Sequence, residues 1–285
     1  MDIRGRQGSS NIEDRRGRGP VRTGVGLSLG GIVILFILSL LGINPLPFLG
    51  LATKQQTTEV QSPDAQQPYQ ESAGEAELRE LAAVTLKETE ETWGRLFGGR
   101  YTPPTMVLYT EATNTGCGTG QAAMGPFYCP ADQKVYLDLT FFQELDRRFG
   151  APVDFAQAYV IAQEVGHHVQ NLVGTAQRVQ QLQQRAGSRA DANQYSVMME
   201  LQADCYAGVW ARDAAPRLNI TQQDIDEGLR AANAIGDDTL QRAAQGRVVP
   251  DAFTHGSSEQ RMKWLMVGMQ SGNPDNCDTF NARDL

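Results

Sequence analysis

The longest apolar stretch of the chain lies near its start. No charged residue occurs between Thr23 and Thr53, and residues 24–43 supply the roughly 20 apolar residues that a helix needs to cross a bilayer. A cleaved signal peptide has a shorter apolar region, of about 7–15 residues, and ends at a small-residue cleavage site. The pattern therefore predicts one transmembrane helix over residues 24–43, with a signal peptide as the alternative.

The segments on either side of this stretch differ in charge. Arginines precede it, and none follows directly after it, so the positive-inside rule predicts a basic cytoplasmic N-terminus over residues 1–23 and the rest of the chain outside. Residues 44–74 are rich in Gln, Thr, Ser and Pro and predict a flexible linker. The arginines are Arg4, Arg6, Arg15, Arg16, Arg18 and Arg22.

Residues 75–285 have the pattern of an α+β domain. Apolar positions over residues 75–96 recur at helical spacing, and Thr105–Tyr109 is a short apolar run typical of a buried strand. Residues 122–129 and 134–139 flank a turn and predict a hairpin, so we expect a small antiparallel sheet. The remainder is mainly helical in pattern, over residues 140–148, 153–173, 195–214, 221–235 and 258–270.

Composition narrows the possible partners. The formal net charge is −8 and the sequence pI is about 5.0. Binding to nucleic acid needs a basic face that neutralises phosphates. The charge therefore argues against nucleic acid as a partner.

The four cysteines, Cys117, Cys129, Cys205 and Cys277, suggest disulfides in a domain that lies outside the cytoplasm. We favour Cys117–Cys129, because a hairpin can bring these two together, and this leaves Cys205–Cys277. A zinc site made of all four is the alternative, but the chain has no Cys-x-x-Cys pair.

One helical segment carries candidate metal chemistry. Gln163 and His167 are four residues apart and share a helix face, with Glu164 beside them. In the motif His-Glu-x-x-His two histidines bind zinc and the glutamate handles a water molecule. The sequence meets this pattern except at its first position, where Gln163 replaces histidine.

A second helical segment offers carboxylates at the same spacing. A catalytic zinc has three protein ligands, and Glu200 can be the third. Asp204, one turn further on, can accept a hydrogen bond from a ligand and hold it in orientation. This arrangement resembles that of the gluzincins.

The chain is similar to the neutral zinc metallopeptidase family of bacteria over nearly its whole length. The similarity lies in residues 155–162, 164–170, 200–210, 253–258 and 260–261, and in the opening residues 1–6. It implies a single-pass anchor in the bacterial inner membrane, a zincin-like domain that is periplasmic or extracellular, Zn²⁺ as the cofactor, and hydrolysis of peptide bonds in a peptide or protein substrate.

The chain departs from the family pattern at Gln163, because an amide carbonyl is a far weaker zinc ligand than an imidazole. Gln163 could present its oxygen to the metal while its amide nitrogen donates to Asp204. His168 is an alternative ligand, but it lies about 100° around the helix from His167. We expect weakened zinc binding.

Two functions follow, and the sequence does not separate them. In an active peptidase, Glu164 is the general base, His255 stabilises the oxyanion, and the strand at residues 134–139 or its neighbour offers an edge to an extended peptide. In a pseudopeptidase, the same cleft binds peptides or partner proteins without cutting them. A tethered assembly factor that uses other surfaces is a third reading, which the retained acidic residues disfavour.

Overall fold

Helices surround a small sheet in the computed structural model of the chain, which describes residues 1–17, 69–143 and 154–285. The α+β class predicted from the sequence is confirmed for these ranges. The helices are α1 (Ala73–Leu96), α2 (Asp154–Leu172), α3 (Thr175–Gln184), α4 (Arg189–Leu218), α5 (Gln222–Ala234), α6 (Asp237–Gln245) and α7 (Ser258–Ser271), and the strands are β1 (Ile12–Asp14), β2 (Thr105–Tyr109), β3 (Ala112–Thr115), β4 (Gly118–Gln121), β5 (Phe127–Cys129) and β6 (Lys134–Asp138).

The main sheet is mixed, with the strand order β1-β2-β6-β5. Strands β1, β2 and β6 run parallel, and only β5 is antiparallel to its neighbour β6. The expected antiparallel sheet is therefore wrong except for the predicted hairpin and a separate antiparallel pair, β3–β4. The short strand β1 was missed because its sequence, Ile-Glu-Asp, has no apolar alternation.

Local capping explains where several helices begin. Ser72 with Glu75, Thr221 with Asp224, and Ser257 with Gln260 form reciprocal side-chain and backbone bonds at the starts of α1, α5 and α7, which satisfy amides that have no partner inside the helix. The apolar pattern of the sequence did not predict helices α3 and α6. Of the helix predicted over residues 140–148, residues 140–143 are helical and the others lie outside the described ranges.

Helix α2 is the centre of the domain. Every residue from Phe155 to Gln170 is buried, because the helix packs against α1, α4, α5 and the β5–β6 hairpin. Polar side chains on α2 must therefore find partners inside the protein, since an unpaired buried polar group is costly. This constraint shapes the candidate site described below.

Both predicted disulfides are confirmed. Cys117–Cys129 joins the β3–β4 hairpin to β5, with an S–S distance of 2.07 Å. Cys205–Cys277 joins α4 to the segment after α7, with an S–S distance of 2.00 Å. No cysteine in the described part of the chain is free.

The predicted membrane helix at residues 24–43 lies outside the described residues, as does most of the predicted linker. Among the helices that the structure describes, none is long and apolar enough to cross a membrane. Residues 1–17, in contrast, lie on the domain, where they supply strand β1.

We expect Gly268→Ala to destabilise the domain, because α4 and α7 touch through their backbones at this residue. A Cβ on Gly268 would lie 1.9 Å from the carbonyl oxygen of Cys205. Overpacking of this kind costs about 1–3 kcal/mol or more, measurable by urea unfolding. Gly94→Ala on α1 is the matched control, since a Cβ there meets nothing within 4 Å. Equal stability of the two variants would contradict the predicted contact.

Candidate metal-binding cleft

Helices α2 and α4 approach closely at the candidate site. A Cβ on Gly166 would lie 3.0 Å from the carbonyl oxygen of Ala203, so a larger residue would push the helices apart. This approach brings Gln163 and His167 on α2 to Glu200 on α4. The three residues that the sequence suggested as ligands therefore converge, although they come from segments 33 or more positions apart.

The three side chains form a nearly regular triangle. The Gln163 amide nitrogen lies 2.9 Å from Glu200 Oε2 and 3.4 Å from His167 Nε2. His167 Nε2 lies 3.4 Å from the same carboxylate oxygen. Zinc bonds of about 2.0–2.1 Å in tetrahedral geometry separate two ligand atoms by about 3.3 Å. The spacing of the three atoms thus matches a zinc tripod.

The chemical group that Gln163 places at one corner of this triangle does not suit a zinc ion. The group of Gln163 that faces Glu200 is an N–H donor, which repels a cation, and the amide must turn over to offer its oxygen. Within the described ranges, no three His, Cys, Asp or Glu side chains are placed to hold a metal ion. The residues present therefore do not make a complete zinc site, and the incomplete position is residue 163.

The opposite charges of His167 and Glu200 stabilise the cluster that these residues form with Gln163. Burial lowers the pKa of His167, but the charge and hydrogen bond of Glu200, together with Glu164 and Gln170, raise it overall. Burial raises the pKa of Glu200, and the charge and hydrogen bond of His167 lower it overall. His167 and Glu200 form an ion pair, and the Gln163 amide donates a hydrogen bond to its anionic member.

Glu164 lies beside this cluster in a different environment. Its side chain is buried, and burial is the main reason that its pKa rises to about 7. The nearby charges of His167 and Glu200 act on it in opposite directions. A carboxyl group with a pKa near neutrality is suited to accept and release a proton.

Gln170 orients His167, a role that sequence reasoning missed. Its side-chain oxygen lies 2.8 Å from His167 Nδ1. Its amide nitrogen donates to the Met199 carbonyl at 2.7 Å and to Gln202 at 3.1 Å. These bonds fix the ring so that Nε2 faces Glu200. The spacing of Gln170, three residues after His167 on the same helix, was the available signal.

The Asp204 carboxylate has hydrogen-bond partners other than the metal ligand that was expected. Its carboxylate accepts two hydrogen bonds from Arg261, at 2.9 Å each, and one from the Tyr159 hydroxyl at 2.6 Å. The Gln163 amide donates to Glu200. The prediction that it donates to Asp204 is therefore wrong. Asp204 and Arg261 are fully buried and link α4 to α7 one helical turn from Glu200.

His255 lies close to α4, since a Cβ on the next residue, Gly256, would lie 3.1 Å from the Leu201 side chain. The charge of His255 lowers the pKa of both Glu164 and Glu200. Asp237, at the start of α6, lies 3.2 Å from His255 Nδ1 and accepts from the backbone amide of His255 at 2.7 Å. Burial lowers the pKa of His255, but the hydrogen bond to Asp237 and the charges of Glu200 and Asp237 raise it overall. Asp237 was not anticipated from the sequence.

His168 points away from the cluster. Its ring nitrogens lie 3.0 Å from the Tyr128 hydroxyl and 2.7 Å from the Thr102 carbonyl oxygen, and its side chain is fully buried. His168 therefore ties α2 to strand β5 and to the loop before β2, and it does not replace the histidine that is missing at position 163.

One family model and several curated proteins match this chain. The model of a family described as "Putative neutral zinc metallopeptidase" matches residues 1–280. The chain is 46% identical to Escherichia coli (strain K12) "Uncharacterized protein YpfJ", over 98% of this chain and 99% of that one. It is also 46% identical to an uncharacterized protein of Mycobacterium bovis, over 71% of this chain and 70% of that protein. No solved structure matches.

Proposed function

Because this chain belongs to the zinc metallopeptidase family that matches it over residues 1–280, we propose that it binds peptides or proteins in the cleft beside Glu164. We further propose that Gln163 weakens its zinc binding and its hydrolysis of peptide bonds. The observation that carries the proposal is the 2.9 Å hydrogen bond from the Gln163 amide to Glu200.

This hydrogen bond competes with a metal. A zinc ion bound here would require the Gln163 amide to turn over and His167 to lose the proton through which it pairs with Glu200. An amide oxygen would then serve where an imidazole binds zinc better. Both effects reduce zinc affinity, and a site with less bound zinc hydrolyses peptide bonds more slowly.

Hydrolysis is the second candidate function, and the tripod spacing of 2.9, 3.4 and 3.4 Å favours it. If the Gln163 amide turned over, Gln163, His167 and Glu200 would hold a zinc ion, which would supply a polarised carbonyl and an acidic water. Glu164, buried beside the tripod, would take the proton of the attacking water and pass it to the leaving amine. His255, held by Asp237, donates a hydrogen bond to the developing oxyanion.

An extended peptide fits the outer edge of the main sheet. Of the two strands that the sequence offered, β6 is bonded on both sides, by β2 and β5, and has no free edge. Strand β5 ends the sheet and packs against α2, which carries Gln163 and Glu164. We therefore assign peptide binding to β5, by addition of a strand.

Association with a membrane through residues 24–43 stays a prediction, since these residues lie outside the described ranges. A location of the domain in the periplasm or outside the cell is proposed on the two disulfides, because disulfides persist in oxidising compartments.

We expect Gln163→His to raise zinc affinity by at least about 10–100-fold, because loss of even an indirect partner of a metal ligand costs that much. The test is metal analysis of the purified full chain after equilibration at limiting free zinc. Gln180→His, on an exposed position of α3, is the matched control and should leave zinc content unchanged. Stoichiometric zinc and chelator-sensitive peptidase activity in the native chain would overturn the proposed impairment and support the second candidate.

A further inference from the structure

The first 17 residues, which we term the N-terminal strap, form part of the folded domain. The strap supplies β1, which pairs in parallel with β2 in the register Ile12↔Met106 to Asp14↔Leu108. Two further backbone bonds extend the pairing, from Met106 N to the Asn11 carbonyl and from Arg15 N to the Leu108 carbonyl, at 2.8 Å each. The strap thus covers the edge of β2 and leaves β5 at the other end of the sheet.

Contacts before β1 bind the strap to α1 and to the end of α4, where the Asp2 amide donates to the Leu218 carbonyl at 2.7 Å. The Ser9 amide donates to the Ala83 carbonyl at 2.9 Å, and the Asn11 side chain donates to Glu90 at 2.8 Å. A Cβ on Gly8 would lie 2.8 Å from Ala83 Cβ. Hydrophobic contacts also hold the strap against the domain, because Met1, Ile3 and Ile12 pack against the main core.

Ion pairs neutralise the arginines of the strap. Arg6 lies 3.3 Å from Glu88, a buried carboxylate on α1. Arg16, itself only 7% exposed, pairs with Asp14 and with Glu71. Arg4 pairs with Asp2, and Arg15 with Glu13, within the strap. The four arginines of the strap are thus partners of carboxylates, and two of these carboxylates, Glu71 and Glu88, lie on the rest of the domain.

The strap ends where the rest of the domain begins. A Cβ on Gly17 would lie 2.9 Å from Tyr69 Cβ, and the Arg16 guanidinium lies 4.9 Å from the centre of the Tyr69 ring. A chain that crossed a bilayer once between residues 17 and 69 would separate them by the hydrocarbon thickness of about 30 Å. The contact and a single crossing are incompatible.

We propose that the strap and residues 69–285 occupy the same compartment, on one side of any membrane, as one folded body. This assignment departs from the sequence expectation of a cytoplasmic N-terminus and an external domain. It is independent of metal binding and peptide hydrolysis.

The test uses two single-cysteine reporters in the full chain. Ser10→Cys labels the strap and Gln180→Cys labels α3; both positions are exposed, so neither change should disturb folding. The four native cysteines are in disulfides, and the unsubstituted chain gives the background. Spheroplasts are treated with a membrane-impermeant maleimide before and after lysis, and labelling after lysis in detergent sets the full signal.

We expect both reporters to react in the same condition, either both before lysis or both only after it. Labelling of one reporter before lysis and of the other only after it would place them on opposite sides and overturn the proposal. Joint labelling only after lysis would keep the proposal while removing the external location of the domain.

Discussion

Glu164→Gln, made in a chain that also carries Gln163→His, should lower kcat/KM for peptide hydrolysis by about 10²–10⁴-fold, the usual contribution of a general base. The amide of glutamine has nearly the same shape as the carboxylate but does not accept a proton from water. Zinc content should not change, since Glu164 is not one of the three residues of the tripod. The measurement is steady-state hydrolysis of an unstructured peptide, with metal analysis of the same samples.

Glu77→Gln in the same background is the matched control, because it makes the same chemical change at an exposed position of α1. Its kcat/KM should equal that of the parent. If Glu164→Gln retained full activity with full zinc, the assignment of the general base would be wrong.

Asp204→Ala should lower the free energy of unfolding by about 3–5 kcal/mol, the usual cost of leaving one member of a buried ion pair without its partner. The Arg261 guanidinium is only 3% exposed and would lose both of its 2.9 Å bonds to the carboxylate. The Tyr159 hydroxyl would lose its acceptor as well. Urea denaturation followed by circular dichroism gives the difference.

The double variant Asp204→Leu with Arg261→Met separates charge from packing. Replacement of a buried ion pair by apolar groups of similar volume is often close to neutral, so the double variant should be more stable than Asp204→Ala. If the double variant were no more stable than Asp204→Ala, an unpaired buried charge would not be the main cost of the single substitution, contrary to our expectation.

The candidate site was predictable from spacing where helices impose a period. Residues four apart on a helix share a face, so the sequence alone pairs Gln163 with His167, and Glu200 with a carboxylate one turn on. Spacing does not say which partner each side chain selects. Asp204 faces Arg261, a residue 57 positions away, and the bond to His167 came from Gln170.

The fold was likewise predictable from the sequence only in part. Strong helical periodicity gave the position of α1, α2, α5 and α7 within a few residues, and the pairing of the four cysteines was correct. The main sheet was mistaken for an antiparallel one, because β2 and β6 are parallel neighbours and the strand pattern of each carries no information on direction. Strand β1 has three residues and gains its place from β2.

The sequence by itself determined the α+β class, the helical spacing of Gln163, Glu164 and His167, and the departure from histidine at position 163. These depend on residue identity and on periodicity along one segment. Only the tertiary structure decided that Gln163 donates to Glu200, that Asp204 turns to Arg261, and that the N-terminal strap joins the sheet. Each of these depends on which distant surfaces meet, because a buried polar group takes the partner that packing brings within reach.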